Sequence, residues 1–192
     1  MEADWEFEVG GGAPVIEAFW AGFVDLRRHL ERMGEIHEAA TFPSLAAMLE
    51  ALNGARSPLW TAKCDLWEPE PDELASADPV APQSSPALHT KLACYVDLLP
   101  IAGDVFAQRQ AEAFCREWVA RLAPFPLLEC RVDLVIRQAI ADDVEGFGVT
   151  AYLSAEGKDR STAAESLATV LTAFVDTIPN FPAPGVLASK IQ

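Results

Sequence analysis

Basic residues are scarce in this chain of 192 residues. It carries 14 Lys and Arg against 29 Asp and Glu, which gives a formal net charge of −15. No basic run is longer than Arg27-Arg28. Nucleic-acid phosphates and anionic lipid headgroups are held by clustered Lys and Arg side chains. We therefore expect no nucleic-acid partner and no membrane partner.

Long apolar runs and leader-type segments are missing as well. No uninterrupted apolar stretch approaches the roughly 20 residues that cross a bilayer. The first residues, MEADWEFEV, have neither a basic n-region nor a long apolar h-region. The four cysteines are widely spaced inside apolar segments, which favours reduced core thiols over disulfides. These features predict a cytoplasmic protein.

Motifs for metal binding and for nucleophilic catalysis are absent. There is no C-x-x-C, no H-E-x-x-H and no EF-hand spacing. His29 and His37 lie in a charged segment and are interpreted as isolated surface side chains. Ser154 stands in LSAEG, which lacks the first glycine of a nucleophile elbow. We expect no metal and no cofactor, and the sequence assigns no catalytic residue.

A run of three glycines at 10–12 interrupts an apolar stretch near the start of the chain. A dinucleotide-binding fingerprint would need a third glycine where Val15 stands. A phosphate loop would need Gly-Lys-Ser/Thr where Ala13-Pro14 follows, and the flanking glutamates would repel phosphate. The glycines therefore predict a hairpin connection or a bulge in an edge strand.

Apolar periodicity indicates both helices and strands. Helices are predicted over 44–54, 105–122 and 161–178, and residues 25–38 are an ambiguous candidate for a short exposed helix. Alternation and β-branched or aromatic enrichment predict strands over 59–68, 92–101, 130–140 and 146–155. A fifth strand is predicted over 5–9, with 14–20 as the candidate for its hairpin partner.

This order of elements predicts an α+β domain spanning 1–192. We expect an antiparallel sheet of five or six strands with helices mainly on one face. The order β-α-β-β-α-β matches the ferredoxin-like pattern, with an additional β-α at the C-terminus. The proline-rich acidic stretch 68–89 predicts a long mobile loop, and 180–192 predicts a flexible C-terminal tail.

Strand alternation separates an apolar face from a polar one. The apolar face, expected under the helices, includes Trp60, Ala62, Cys64 and Leu66 of the first long strand. The opposite face includes Thr61 and Leu99 along with many charged and aromatic side chains. These form the candidate binding site: Lys63, Asp65, Trp67, Tyr95, Asp97, Arg131, Asp133, Arg137 and Tyr152.

Three interpretations of the polar face remain open. It is a solvated surface with weak cross-strand ion pairs, or a self-association surface anchored by Trp67, Tyr95, Leu99 and Tyr152. In the third interpretation it is a cleft roofed by 15–26 or by the proline-rich loop. There the two arginines would hold a small anionic ligand, and an aspartate would act as a base or a metal ligand.

The sequence favours an interaction module that forms a homo-oligomer, most simply a dimer, through the polar face. The alternative is a small-molecule-binding protein or an enzyme with a carboxylate and arginine site on the same face. Whether the protein is an enzyme is left open.

Overall fold

The computed structural model describes residues 1–69, 90–127 and 129–179. Within these ranges it shows a six-stranded sheet with helices, so the predicted α+β class is confirmed. The strands are β1 Glu2–Phe7, β2 Ile16–Glu17, β3 Leu59–Trp67, β4 Thr90–Pro100, β5 Cys130–Ala141 and β6 Val144–Gly157. The helices are a 3-10 helix Leu30–Glu35, then α1 His37–Thr41, α2 Pro43–Asn53, α3 Gln108–Leu122 and α4 Arg160–Asp176.

The sheet is mixed, and the prediction of a wholly antiparallel sheet was wrong. Its order is β1-β5-β6-β4-β3, and both β1 and β2 pair with β5 in the parallel sense. The other neighbours are antiparallel, including the predicted β5–β6 hairpin. The ferredoxin-like arrangement is not confirmed. That pattern would place β1 between β4 and β5, whereas the central position is occupied by β6.

The expected hairpin between 5–9 and 14–20 is also wrong, because both segments lie along the same edge of β5. The Glu8 amide donates to the Ile136 carbonyl, and the Ala18 amide donates to the Ile140 carbonyl, each at 2.9 Å. The glycines between them carry the chain away from β5 and back to it. Gly10 and Gly12 have φ values of 124° and 100°, which non-glycine residues rarely adopt.

The helices pack on one face of the sheet and form the main core there. The Trp118 indole of α3 stacks on Phe174 of α4, with ring centroids 4.1 Å apart, and donates to the Phe174 carbonyl and the Thr177 hydroxyl. Cys94, Cys115 and Cys130 are buried, Cys64 is half-buried, and all four are free thiols. Strand residues of this core include Cys94, Val96, Leu98, Val132, Leu134, Ile136, Val149, Ala151 and Leu153.

A β-bulge in β3 changes which side chains face the helices. The pairing of β3 with β4 shifts register between Thr61 and Cys64. Before the bulge Leu59 lies in the helix-side core, while Trp60 and Ala62 lie in a separate cluster with Leu99. The assignment of Trp60 and Ala62 to the helix face was therefore wrong. The assignment of Thr61 to the opposite face was also wrong, since its hydroxyl accepts a 2.8 Å hydrogen bond from Asn53 of α2.

Two predicted segments fall largely outside the described residues. These are the loop 68–89, of which only the first two positions are described, and the tail 180–192. Within the described ranges, no helix combines the length and apolarity that spanning a membrane requires.

Candidate functional site

The sheet face opposite the helices, here called the second face, carries all nine predicted site residues. The strand register aligns Asp65, Tyr95, Tyr152 and Asp133 in one row across β3, β4, β6 and β5. Because β-sheet side chains alternate, neighbouring rows on this face lie two residues away along each strand. Lys63, Asp97 and Arg137 follow on one side of this row, and Trp67 and Arg131 lie on the other.

A hydrogen-bond network runs through the interior of the second face. Arg137 binds Glu8 of the segment after β1, with Nε and Nη2 donating to Oε2 at 2.9 and 2.6 Å. Its Nη1 donates to the Tyr152 hydroxyl at 2.9 Å and to the Thr150 hydroxyl at 3.2 Å. Thr150 in turn donates to Asp97 Oδ1 at 2.6 Å. Arg137 is therefore fixed from several sides.

Asp97 is a buried carboxyl group at the centre of this network, with 9% of its surface exposed. Burial raises its pKa above the ordinary value. The hydrogen bond from Thr150 and the charges of Arg137 and Lys63 oppose that increase. Lys63 lies on the same side of the sheet, and its interaction with the Tyr95 side chain raises the pKa of Lys63.

Three aromatic rings cross the second face in a line. The ring centroids of Trp67 and Tyr95 are 6.2 Å apart, and those of Tyr95 and Tyr152 are 5.9 Å apart. All three side chains are half-buried, so each ring keeps part of its surface in water. The rings are inclined to one another by 49° and 60°, within the range of favourable aromatic contacts.

Both arginines of the predicted site are already neutralised. Arg131 donates to Asp133 at 2.6 Å and to Glu2 at 2.9 Å, as Arg137 does to Glu8. Lys63 is the remaining cation of the predicted site. No carboxylate oxygen of the described chain lies within 4.0 Å of its ammonium nitrogen. A small anion would have to displace a carboxylate from either arginine before binding it.

The apolar segment 15–26 covers one end of the second face with its residues up to Phe23, while Val24 and Leu26 pack with the helix-side core. Ile16, Ala18 and Phe23 pack with Trp60 and with three small or aliphatic sheet residues, Leu99, Ala139 and Ala141. The indole N–H of Trp20 donates to the Ala62 carbonyl at 2.9 Å, which fixes the cover to the β3 edge. Leu99 is fully buried beneath this cover, so its predicted role as an exposed anchor was wrong.

Sequence reasoning missed several contributors to the site. Glu8 and Thr150 lie on the polar face that strand alternation predicts. The contact of Glu8 with Arg137 depends on the parallel pairing of the first segment with β5, which no local pattern indicates. Thr150 reaches Asp97 and Arg137 through the antiparallel pairing of β6 with β4 and β5. Trp60 was assigned to the wrong face because nothing in LWTAKCDLW marks the bulge. Whether the proline-rich loop also covers this face lies outside the described residues.

The side of the face nearest β1 forms a groove of about 400 Å³. Its lining includes four carboxylates, Asp4, Glu6, Glu8 and Asp133, against the guanidinium groups of Arg131 and Arg137. Within the described ranges no group of three or more His, Cys, Asp and Glu side chains is arranged to hold a metal ion. Comparison of the chain with protein-family models, curated proteins and solved structures found no match.

Proposed function

We propose that the protein is a binding module that joins a second copy of itself through the open part of the second face. The open face comprises the residues beyond the cover at 16–23: Lys63, Asp65, Trp67, Tyr95, Arg131, Asp133 and Tyr152. The observation that carries the proposal is the half-exposed line of rings formed by Trp67, Tyr95 and Tyr152. Aromatic side chains of this kind supply most of the binding energy in protein interfaces.

The ion pairs of the face support an interaction surface over an anion site. Arg131 and Arg137 are both held by carboxylates of their own chain, so the exposed rings are the main groups left for a partner. Both charge signs also occur at both ends of the aromatic line, which runs across the strands from β3 to β6. Lys63 and Asp65 lie on β3, and Arg131 and Asp133 lie on β5. A two-fold-related copy can therefore oppose unlike charges.

Self-association of this chain has a distinctive dependence on salt. Each copy carries a formal charge of −15, so two copies repel each other. Salt shortens the screening length from about 10 Å at 0.1 M to about 3 Å at 1 M. We expect the association constant to rise when NaCl is increased from about 0.1 M to about 0.5 M. A basic partner would show the opposite trend.

Sedimentation equilibrium of the intact chain tests the proposal. Trp67→Ala and Tyr95→Ala each remove a ring from the open face. Truncating such an anchor costs about 2 kcal/mol or more, which is roughly thirtyfold in the dissociation constant. Leu30→Ala is the matched control, because Leu30 is a large apolar side chain with 39% exposure on the 3-10 helix, away from this face. Equal assembly of all four proteins would refute the proposal.

A second candidate, a small-molecule site on the same face, is favoured by one observation. Lys63 has no carboxylate partner in the described chain, and it lies near buried Asp97 beside the cover. Perturbed ionisable groups in a recess are frequent at functional sites. In a thermal-shift screen, a ligand held here would raise the melting temperature of the wild type and not that of Lys63→Met. Such a shift without any assembly would replace the first proposal with the second.

A further inference from the structure

A separate pocket of about 350 Å³ lies at the outer edge of β3. It is bounded by Trp20–Val24 at the end of the cover, by Glu35–Glu38 around the start of α1, and by Thr61–Asp65 of β3. Its volume falls in the range of small-ligand pockets, which is about 300–1,000 Å³. The pocket opens beside the second face and does not include the aromatic line.

The inner wall of this edge pocket is apolar and its rim is acidic. Val24, Ile36, Leu49 and Cys64 supply the apolar surface. At the rim, Glu38 and Asp65 have no cation of the described chain within 4.0 Å. The third rim carboxylate, Glu35, is already bound by Arg32 at 2.7 Å.

The Cys64 thiol at the wall of the pocket is affected by both burial and nearby carboxylates. Burial raises the pKa of Cys64 to about 12, and the carboxylates of Glu38, Asp65 and Asp97 add to the increase. Trp20 borders the same space, and its indole N–H is already engaged by the Ala62 carbonyl. The ring of Trp20 attracts cations, and the ammonium of Lys63 already lies over it. A ligand cation near Trp20 would therefore share the ring with Lys63 or displace it.

We propose that the edge pocket binds an organic cation, an alkylammonium or guanidinium group carried on a short aliphatic stem. The stem lies against Val24, Ile36 and Leu49, and the cationic head lies between Glu38, Asp65 and the ring of Trp20. Lys63 stands at the rim, with its ammonium 5.6 Å from the Trp20 ring centroid. Its charge opposes binding and favours a ligand with a single compact cationic head.

The same group can come from a free amine or from a Lys or Arg side chain of an extended peptide. A peptide lying along β3 beyond Ala62, whose carbonyl is already bound by Trp20, would add main-chain hydrogen bonds at this sheet edge. No strand of the described chain pairs outside β3 there. Butylammonium and the blocked tripeptide acetyl-Val-Lys-Val-amide are probes for the two sources. Butanol and the norleucine tripeptide are their neutral counterparts.

A nuclear magnetic resonance titration that follows the indole N–H signal of Trp20, assigned with Trp20→Phe, tests the proposal. We expect a saturable shift with each cationic probe and none with its neutral counterpart. Tighter binding of the lysine tripeptide than of butylammonium would identify a peptide as the source, and the reverse order would identify a free amine. No saturable shift with either cation would overturn the proposal.

Charge variants make the test specific to the edge pocket. Glu38→Gln should weaken cation binding roughly three- to fivefold, as expected for one partly exposed charge pair. Lys63→Met should strengthen binding, because it removes a like charge from the rim. Glu50→Gln is the control, since Glu50 is an exposed carboxylate elsewhere on α2. Equal binding by Glu38→Gln and wild type would contradict the assignment.

Lys63 and Asp65 belong to both the edge pocket and the open face, so Glu38→Gln is the variant that separates cation binding from self-association. Glu38 is not part of the open face, so Glu38→Gln should leave the assembly mass unchanged. Loss of cation binding with normal assembly would therefore support the pocket alone. Failure of both experiments would leave neither surface with a function.

Discussion

The hydrogen bond from Thr150 to Asp97 offers the sharpest test of the second-face network. Thr150→Val replaces the hydroxyl with a methyl group of similar size and leaves the buried Asp97 carboxylate without its 2.6 Å donor. It also removes the acceptor of the longer, 3.2 Å hydrogen bond from Arg137, which keeps its bonds to Glu8 and Tyr152. A hydrogen bond to a charged group contributes about 1.5–3 kcal/mol to stability. Burying the extra methyl group returns about 0.8 kcal/mol. The free energy of unfolding should therefore fall by roughly 1–2 kcal/mol at pH 8.

The loss in free energy of unfolding caused by Thr150→Val should also depend on pH. Asp97 has a folded-state pKa above its ordinary value of 3.8, so the native state binds more protons than the unfolded chain. Its contribution to stability is fully present below pH 3.8 and is lost as the pH rises through the folded-state pKa. Removing the Thr150 donor raises that pKa further. The cost of Thr150→Val should therefore increase as the pH rises from below the folded-state pKa of Asp97 in the wild type to above that of the variant.

Thr61→Val is the matched control for this experiment. Thr61 is also buried, but its hydroxyl accepts from the neutral Asn53 amide. A neutral hydrogen bond contributes about 0.5–1.5 kcal/mol, so the net loss should be below about 1 kcal/mol. It should not vary with pH, because Asn53 does not titrate. Urea denaturation of the three proteins at each pH measures both values. Equal, pH-independent losses in the two variants would show that Thr150 does not stabilise an ionised Asp97.

Further predictions concern the cover and the thiols. Gly148→Ala should destabilise the protein by roughly 1–3 kcal/mol, because its Cβ would lie 2.8 Å from Ile16 and 3.0 Å from Leu99 beneath the cover. Urea denaturation measures the loss, and an unchanged midpoint would show that the cover yields freely. Burial raises the pKa of Cys64 and Cys115 to about 12, and it also raises the pKa of Cys94 and Cys130. In the native protein at pH 8, iodoacetamide should therefore label the cysteines slowly. Mass spectrometry should find rapid labelling only in urea, and fast native labelling would contradict the assigned burial.

The sequence predicted the features that depend on local pattern. Alternation in 130–140 and 146–155 indicated the β5–β6 hairpin, and 3.6-residue periodicity indicated α2, α3 and α4. The same alternation placed the aromatic and charged residues of β4, β5 and β6 on one face. These elements follow from short-range periodicity, which a single sequence contains.

The features that were missed depend on pairings between distant residues. The apolar pattern of β1 is compatible with either a hairpin or a parallel edge, and its register with β5 is fixed only in the folded sheet. Because of the bulge after Thr61, Trp60 and Ala62 lie on the sheet face opposite to Cys64 and Leu66. No residue in this stretch of sequence indicates the bulge. Predicting the cover over Leu99 would have required both the parallel pairing with β5 and the bulge in β3. The sequence therefore predicted which sheet face carries the candidate site. It did not predict where the cover ends and the open part of that face begins.

Native mass spectrometry of the unmodified protein at several concentrations tests the central claim most directly. One chain has a mass of 20.8 kDa. Self-association through the open face predicts a species of twice that mass, and the fraction of this dimer should grow with protein concentration. A species of one chain mass at every concentration would contradict the claim. If that single chain carried a discrete bound mass, the ligand site on the same face would become the leading account.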